Sequence, residues 1–545
     1  MNRVDHTPLT PLSFLERSSS VWPDKKAVVY GDTSWTYREF ADEVATMATA
    51  LAASGVQRGD RVAYMMPNLP HLLAAHYAVP LIGGILVAIN TRLSAEEIAY
   101  ILHHCEAKVV VADGGLLDVI ARAVALLEEA PEVVLIDDEV AGVAAQESDK
   151  ASLGTSLVTL RDFRARAQAA DVELTWGVPD EYDSISLNYT SGTTGRPKGV
   201  LYHHRGAYLN SLGEIIHSGF TRDTRYLWTL PMFHCNGWCT TWAITAIGGT
   251  HVCLREVRGD VIWELIRAEN ITHLNGAPTV LTAITHDPAA GPLERPVTIT
   301  TAGAPPAPAT ILGMNELGFS IVHVYGLTEV YGPYSVCEPQ DAWADLDAET
   351  RARLLSRQGV GMVQTDPVRI VDEDMADVPA DGETMGEIAM RGNNLMSGYY
   401  KDAPGTAEAF RGGWFHTGDL GVMHPDGYIE LRDRAKDVVI SGGENISTVE
   451  VEQALMSHPS VLEVAVIGVP DKKWGEVPKG FVKLKNNMDA TAEELIDHVK
   501  SKIARYKAPK AVEFVVELPK TSTGKIQKFA LRDAEWGEGD KRIQG

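Results

Sequence analysis

Short apolar runs alternate with amphipathic segments along most of the chain. Three clear runs are Ala27–Tyr30, Val109–Ala112 and Val133–Ile136, and helical patterns separate each run from the next. Short runs rich in β-branched residues are typical of buried strands. Their alternation with helical segments predicts an α/β fold of layered subdomains whose sheets are mostly parallel.

A second, smaller unit is predicted after Arg434–Asp437. This boundary follows Asp426–Leu431, which resembles a hairpin, and precedes Ser447 and Glu450, whose spacing fits a capping box that begins a short helix. Beyond them the pattern predicts strand Val461–Val469, strand Phe481–Lys485, helix Ala492–Arg505 and strand Val512–Val516. We therefore predict a large N-terminal domain, residues 1–434, and a small mobile C-terminal α/β domain, residues 435–545.

Two other stretches depart from the general pattern. Tyr77–Ile89 is the most apolar stretch, but it is shorter than the roughly 20 residues that span a bilayer, and we interpret it as one buried core element. Residues 140–180 are the least patterned, and we expect a variable surface connection there. The first residues lack a basic region followed by an apolar one, so we expect no signal peptide.

The charge balance limits the class of partner. The 545-residue chain has a formal net charge of −24, which disfavours nucleic acid and anionic membranes as partners. Its five cysteines are few and odd in number, so we expect a reducing, cytoplasmic location. His234, Cys235 and Cys239 resemble part of a metal site, but no second pair of ligands stands near them.

One loop predicts a phosphate-binding site. Tyr189–Val200 combines glycines and small hydroxyl residues with the cations Arg196 and Lys198. Backbone N–H groups can approach anionic oxygens where side chains are this small. The loop is not a Walker A motif, because Lys198 follows proline and precedes Gly199.

Further segments carry related combinations of glycine, hydroxyl and charged residues. In chain order they are Trp35–Phe40, Thr300–Pro306, Tyr325–Glu329, His416–Asp419, Gly427–Tyr428 with Arg434–Asp437, Ser441–Asn445 and Pro519–Lys525. With the phosphate loop, they resemble in order and spacing the AMP-forming adenylation signature of acyl-CoA synthetases, peptide-synthetase adenylation domains and luciferases. The resemblance covers almost the whole chain.

The resemblance implies a site for ATP and Mg²⁺. It places six residues of the loop on the phosphates, namely Thr190, Ser191, Gly192, Thr193, Thr194 and Lys198, and it places Thr190 and Glu329 on the metal. In isolation, a flexible polar loop would be the favoured interpretation of this segment, and a solvated carboxylate that of Glu329. The accompanying motifs favour the functional interpretation.

The nucleoside half of the site follows from the same resemblance. Asp419 and Arg434 are expected at the ribose, and Gly303, Ala304 and Pro305 against adenine. Tyr325 offers a ring that can stack on the base, although core packing is an alternative for it. Gly326 and Thr328 belong to the same nucleotide-binding motif, and Thr328 is also a candidate catalytic residue.

The C-terminal motifs imply catalysis and CoA binding. Lys525 is expected at the bridging oxygens of the forming adenylate, and Lys436 at a hinge that also touches AMP. Ser441, Gly442 and Gly443 resemble the loop along which pantetheine enters. Trp474 and Glu476 either face CoA or form a simple turn.

The acid site is predicted around Pro231–Trp238. His234 resembles the residue that closes over the carboxylate, with Asn236, Trp238, Gly303 and Gly332 around the acyl group. The segment is similar to the branch that contains medium-chain fatty acid and methylmercaptopropionate CoA ligases. Trp238 is interpreted as a pocket wall, a pantetheine contact or a structural core residue. No Asp is present to hold an α-amine, which favours a simple carboxylic acid over an amino acid.

Together these features predict an AMP-forming carboxylate–CoA ligase that uses ATP, Mg²⁺ and coenzyme A. A short- to medium-chain fatty acid would form acyl-AMP and pyrophosphate, and CoA would then displace AMP. The alternatives are an acyl-AMP ligase that delivers to a carrier protein and a catalytically silent nucleotide-binding protein. A homodimer is a further expectation.

Overall fold

The computed structural model of this chain describes residues 6–190, 197–304, 306, 308–434, 436–441, 444–471, 473–521 and 526–536. These residues form two large sheets of nine and eight strands, a four-stranded sheet and a five-stranded C-terminal sheet, with helices against them. The fold is therefore mixed α/β, with a large N-terminal and a small C-terminal domain, as predicted. No described helix has both the length and the apolar character that crossing a bilayer requires.

The first sixteen strands lie in the first two thirds of the chain. They are β1 Lys26–Tyr30, β2 Thr33–Thr36, β3 Arg61–Met65, β4 Ile85–Ala88, β5 Ala107–Asp113, β6 Glu132–Ile136, β7 Leu157–Thr159, β8 Ser184–Tyr189, β9 Gly199–His203, β10 Arg225–Leu227, β11 Thr250–Val252, β12 His273–Gly276, β13 Val297–Thr301, β14 Phe319–Leu327, β15 Gly332–Val336 and β16 Val360–Gly361. The others are β17 Arg369–Val371, β18 Gly386–Met390, β19 Gly398–Tyr399, β20 Phe415–Met423, β21 Ile429–Arg434, β22 Val439–Ser441, β23 Glu444–Ile446, β24 Val461–Asp471, β25 Gly475–Leu484 and β26 Ala511–Phe514.

The helices connect these strands. They are α1 Leu12–Val21, α2 Tyr37–Ala53, α3 Pro70–Leu81, α4 Ala95–Cys105, α5 Leu117–Val124, α6 Glu147–Leu153, α7 Leu160–Ala169, α8 His204–His217, the short α9 Cys235–Trp238, α10 Thr240–Ala246, α11 Gly259–Ala268, α12 Pro278–His286, α13 Pro308–Glu316, α14 Ala348–Leu355, α15 Ala403–Ala409, α16 Thr448–Met456, α17 Ala492–Lys502 and α18 Lys528–Glu535.

The two large sheets are parallel at their centres and antiparallel towards some of their edges. One has the strand order β19-β9-β8-β4-β3-β5-β6-β7, and only β8, β9 and β19 form antiparallel pairs in it. The other has the order β16-β15-β14-β13-β12-β10-β11-β1-β2, with antiparallel pairs at both ends. The predicted parallel α/β layers are confirmed.

The helices that lie against these sheets bury apolar side chains in a core that they share with the sheets. α2 begins with a reciprocal capping box between Thr36 and Glu39, which satisfies backbone N–H groups at its start. Tyr37 and Phe40 on α2, Tyr77 on α3 and Trp242 on α10 are fully buried in one shared core. This core supports the strand ends that carry the site.

Two expectations about the N-terminal domain need correction. Tyr77–Ile89 is buried over nearly its whole length, as predicted, but it forms two elements, the end of α3 and strand β4, because Gly83 takes a positive φ of 74° and turns the chain between them. Residues 140–180 contain α6, β7 and α7, and β7 is the edge strand of the eight-stranded sheet. A three-residue edge strand buries too little apolar surface to mark the sequence, so periodicity missed it.

The predicted C-terminal elements are confirmed with shifted ends. Ser447 caps α16 by accepting a hydrogen bond from the Glu450 backbone N–H. Strand β25 begins at Gly475 rather than at Phe481, because β24 continues to Asp471 and the two strands pair as one long hairpin. The boundary between residues 434 and 435 remains a prediction.

A buried ionic cluster joins the two large sheets. Arg255, just after β11, donates hydrogen bonds of 2.7 and 2.9 Å to Asp113 at the end of β5, and one of 2.8 Å to Asp138. The Tyr30 hydroxyl, at the end of β1, donates to Asp138 at 2.6 Å. Both carboxylates are almost fully buried, so the single guanidinium compensates two desolvated negative charges.

We predict that Arg255→Leu lowers the free energy of unfolding by about 3–5 kcal/mol, because it leaves two buried carboxylates without their cation. Urea denaturation measures this change. Arg258→Leu is the matched control, because Arg258 pairs with Asp260 at the surface and its loss should cost at most about 1 kcal/mol. Equal losses in the two variants would contradict this role of Arg255.

Candidate active site

The predicted motifs converge where strands of both large sheets end. The phosphate loop connects β8 to β9 in the eight-stranded sheet, whereas Gly303 follows β13 and Glu329 follows β14 in the nine-stranded sheet. Ligands of α/β proteins bind outside the carboxyl ends of the strands. The fold thus brings together segments that lie more than 100 residues apart.

The two ends of the phosphate loop are held together. The Thr190 backbone N–H donates to the Lys198 carbonyl at 3.0 Å. The half-exposed Lys198 ammonium lies 3.6 Å from the Asp402 carboxylate and 4.5 Å from the centre of the Tyr399 ring. Ser191, Gly192, Thr193, Thr194 and Arg196 lie outside the described residues.

Glu329 is the candidate residue for holding a divalent cation. It lies in a single 3₁₀ turn, Thr328–Val330, and its Oε1 accepts a 2.9 Å hydrogen bond from the Tyr399 hydroxyl. Burial raises the pKa of the Glu329 carboxyl, so a bound cation would relieve its desolvation. No group of three or more His, Cys, Asp or Glu ligands occurs within the described ranges. Mg²⁺ commonly binds through one or two carboxylates together with water and phosphate oxygens, so this site fits it.

Thr328 is held from two directions. Its carbonyl accepts a hydrogen bond of 2.5 Å from the Tyr202 hydroxyl, and its own hydroxyl lies 3.5 Å from Cys235 Sγ. The His234 ring lies next to the same sulfur, with Nε2 at 3.8 Å. Two predicted catalytic residues, Thr328 and His234, therefore both contact Cys235.

Tyr325 and Arg434 both contact Asp419, one by a hydrogen bond and the other as an ion pair. The Tyr325 hydroxyl donates to Asp419 Oδ2 at 2.7 Å, and Arg434 Nε lies 3.4 Å from Asp419 Oδ1. Asp419 and Arg434 face each other across the β20–β21 hairpin. Gly303 and Ala304, predicted at the base, are exposed, while Pro305 lies outside the described residues.

The structure also brings some of the C-terminal residues together. Ser441 pairs with Gly475, which places this residue of the predicted pantetheine loop next to Trp474 and Glu476. The Trp474 side chain is exposed, but Glu476 is buried and is the second residue of strand β25. Burial lowers the pKa of Lys436 to about 8. Gly442, Gly443 and Lys525 lie outside the described residues.

A left-handed turn follows His234, and sequence reasoning missed it. Five consecutive residues, Cys235 to Cys239, have φ values of 50°, 53°, 59°, 56° and 64°. This conformation costs about 1–2 kcal/mol for each residue that is not glycine. The single glycine, Gly237, packs so closely that a Cβ atom there would lie 2.5 Å from the Trp228 ring.

Asn236 compensates part of this strain. Its Oδ1 accepts hydrogen bonds from Ser186 Oγ at 2.8 Å and from Asn188 Nδ2 at 2.9 Å, both on β8. The Asn236 side chain is fully buried, and its Nδ2 has no hydrogen-bond partner within the described part of the chain. Its geometry is that of a support for the turn, and its predicted contact with the acid remains a prediction.

Trp238 is presented by the same turn. Its indole packs against Gly332, where a Cβ atom would lie 2.8 Å from Trp238 Cδ1. Gly332 has a φ of 107°, a region that favours glycine. The close contact brings together two of the residues predicted to surround the acyl group.

Asn68 is a further residue that the sequence did not reveal. Its Nδ2 donates to the carbonyls of Trp228 and Leu230 at 2.7 and 2.9 Å, and its Oδ1 accepts from the Met232 N–H at 2.8 Å. This buried amide therefore supports the chain that leads to His234. The available signal was a single asparagine between Pro67 and Pro70 in an otherwise apolar stretch.

Comparison with known proteins identifies the class. The model of the AMP-binding enzyme family matches residues 15–400, and that of the AMP-binding enzyme C-terminal domain matches residues 450–525. The chain belongs to the AMP-binding enzyme family. This confirms the resemblance found in the motifs.

Full-length relatives narrow the class further. The chain is 44% identical to a 2-methylpropanoate–CoA ligase of Humulus lupulus over 98% of this chain and 96% of that one. It is 42% identical to a peroxisomal acetate/butyrate–CoA ligase of Arabidopsis thaliana, covering 97% and 95%. The crystal structure of an anthranilate CoA ligase in complex with anthranoyl-AMP matches with a TM-score of 0.83 at 26% identity, covering 97% and 98%. The prediction of an AMP-forming carboxylate–CoA ligase that uses ATP, Mg²⁺ and CoA is confirmed.

We predict that Asn236→Ala lowers the free energy of unfolding by about 3 kcal/mol or more. It leaves the buried Ser186 hydroxyl without its acceptor, at about 1–3 kcal/mol, and it removes one of the two acceptors of Asn188 Nδ2, which also donates to Ser186 Oγ at 3.2 Å. Asn487→Ala is the control, because Asn487 also has a positive φ of 61° but is exposed. Its free energy of unfolding should fall by only about 1 kcal/mol, the cost of placing alanine in the left-handed conformation. Chemical denaturation of both variants decides the matter, and similar losses would show that Asn236 does not anchor the turn.

Proposed function

We propose that this chain converts a short aliphatic carboxylic acid, in the size range of acetate, butyrate and 2-methylpropanoate, to its CoA thioester. The observation that carries this choice is the close packing of Trp238 on Gly332, because an indole that forms the wall of the acyl site would limit the length of the acyl tail. The named substrates of the two relatives support it. The similarity of the acid-site segment to the medium-chain fatty acid and methylmercaptopropionate branch is less specific. It makes longer acids the second candidate.

The reaction has two steps. A carboxylate oxygen attacks the α-phosphorus of ATP, and the bond to pyrophosphate breaks, which gives acyl-AMP. The CoA thiol then attacks the acyl carbon, loses its proton, and expels AMP. Both steps bring anions together, so positioned cations lower the barrier most directly.

We assign the predicted residues to these steps. Lys198 and the loop from Thr190 would hold the β- and γ-phosphates, Glu329 would hold Mg²⁺, and Asp419 with Arg434 would hold the ribose. His234 would lie at the carboxylate and Lys525 at the bridging oxygens of the adenylate. Lys436 would act as the pivot before CoA enters along Ser441–Gly443. The large net negative charge of the chain makes such local cations necessary.

The alternatives have distinct outcomes. A ligase for a carrier protein would release AMP without any dependence on CoA, and a silent nucleotide-binding protein would show no acid-dependent pyrophosphate exchange. CoA-ligase relatives that match over nearly the full chain disfavour both. A cytoplasmic location and a homodimer remain part of the proposal.

We predict that wild-type specificity constants, measured from acetate to dodecanoate by AMP release with CoA present, are highest among the shortest acids. Trp238→Ala should move the optimum towards longer acids in graded steps, because one methylene in an apolar pocket contributes about 1–3 kcal/mol. The apparent Michaelis constant for CoA is the internal control and should stay unchanged. An unchanged ranking of acids together with a raised Michaelis constant for CoA would instead place Trp238 at the pantetheine.

A further inference from the structure

One short segment contacts both the phosphate loop and the turn of Glu329. We call residues 394–402 the strap, which lies between β18 and α15. Its strand β19 pairs antiparallel with β9, directly after Lys198, so the strap extends the eight-stranded sheet at its edge. No sequence motif had pointed to it.

On one side the strap holds the turn of Glu329. The Met396 backbone N–H donates to the Glu329 carbonyl at 2.8 Å, and Asn394 Nδ2 donates to the Val330 carbonyl at 3.2 Å. The Tyr399 hydroxyl donates to the Glu329 carboxylate at 2.9 Å. Backbone and side chain of Glu329 are thus both held by the strap.

On the other side the strap holds the end of the phosphate loop. The Tyr400 backbone N–H donates to the Gly199 carbonyl at 2.7 Å. The Lys198 ammonium lies 4.5 Å from the centre of the Tyr399 ring, within the range of a cation–π contact, and 3.6 Å from Asp402. Tyr399 therefore contacts the lysine with its ring and the carboxylate with its hydroxyl.

This arrangement keeps two opposite charges apart. Lys198 and Glu329 both contact Tyr399, and a direct ion pair between them would neutralise both charges. Here the ring face and Asp402 hold the ammonium, while the hydroxyl holds one carboxylate oxygen. Each charged group then stays available for its own ligand, a phosphate for Lys198 and a divalent cation for Glu329.

We propose that Tyr399 is a positioning residue that holds Lys198 and Glu329 as separate charges, so that ATP and its metal ion bind as one unit. This inference rests on the proposed function for the assignment of Lys198 to phosphate and Glu329 to Mg²⁺. Its specific content is the hydroxyl of Tyr399. Removal of that oxygen frees the carboxylate to turn towards Lys198.

The test is the affinity for Mn²⁺, used as a spectroscopic substitute for Mg²⁺, in the presence of saturating ATP and without acid. Electron paramagnetic resonance measures free Mn²⁺ in mixtures with the full-length protein. Tyr399→Phe should weaken Mn²⁺ binding by about tenfold or more, the size expected for a lost hydrogen bond to a charged group. Tyr400→Phe is the matched control on the same strap and should leave Mn²⁺ binding unchanged.

A second variant and a double-mutant cycle distinguish the positioning of Glu329 by Tyr399 from a general disturbance of the site. Tyr399→Leu also removes the ring, so it should weaken ATP binding without metal as well, measured by calorimetry. In a Glu329→Gln background, Tyr399→Phe should have no further effect on Mn²⁺ binding, because the two residues act through one contact. Melting temperatures identify any variant that does not fold, and the cycle can be completed with Tyr399→Leu in its place.

Each outcome decides the inference. Wild-type affinity for Mn²⁺ in folded Tyr399→Phe, an equal loss in Tyr400→Phe, or additive effects in the cycle would overturn it while leaving the proposed function intact. Failure of the wild-type protein to bind Mn²⁺ with ATP would overturn the metal assignment in the proposed function, and this inference with it.

Discussion

The hydrogen bonds to the Asn236 carboxamide are the contact on which the geometry of the site depends most. They attach the segment that follows strand β10 of one large sheet to strand β8 of the other. The phosphate loop begins directly after β8, and His234 and Trp238 lie on either side of Asn236. A shift of this contact would therefore move the acid site relative to the nucleotide site, and an offset of that kind is costly when two reacting atoms must be aligned.

This contact holds a backbone that local forces oppose. Four residues that are not glycine take left-handed conformations between positions 235 and 239. Such strain persists only where the surrounding structure over-determines it, and it is concentrated at functional sites. Three contacts support it here. Asn68 holds the segment that precedes the turn, two side chains of β8 donate to Asn236, and Gly237 packs on Trp228.

Charge is the second constraint on the site. Acid, ATP and CoA are all anions, and the chain itself is strongly acidic. Lys198 and Arg434 lie near carboxylates, which would neutralise them if each formed a closed ion pair. The described contacts are looser than that, since Arg434 lies 3.4 Å from Asp419, and Lys198 lies 3.6 Å from Asp402 and rests on a ring. The cations are thus held in place and still able to bind a ligand.

The sequence predicted those parts of the site that depend on local residue types. The phosphate loop, the turn of Glu329 and the Asp419–Arg434 hairpin could be recognised because glycine, hydroxyl and charged residues stand there in a fixed order. Strands such as β5 and β6 could be predicted from continuous apolar runs. Asn68, the left-handed turn and the strap could not, because each is defined by partners far away in the chain, as with Asn68 and Met232 or Glu329 and Tyr399. Edge strand β7 and the start of β25 are likewise defined by pairing with a neighbouring strand, which the local sequence pattern does not predict.

The most direct test of this account follows the oxygen atoms of the acid. In the proposed chemistry, one carboxylate oxygen becomes the bridge between the acyl carbon and phosphorus, and it stays with phosphorus when CoA attacks. Turnover of ¹⁸O-labelled 2-methylpropanoate with ATP, Mg²⁺ and CoA should therefore give AMP that carries one ¹⁸O atom, measured by mass spectrometry. Unlabelled AMP, or ¹⁸O in inorganic phosphate instead, would contradict an acyl-adenylate formed between the two sheets.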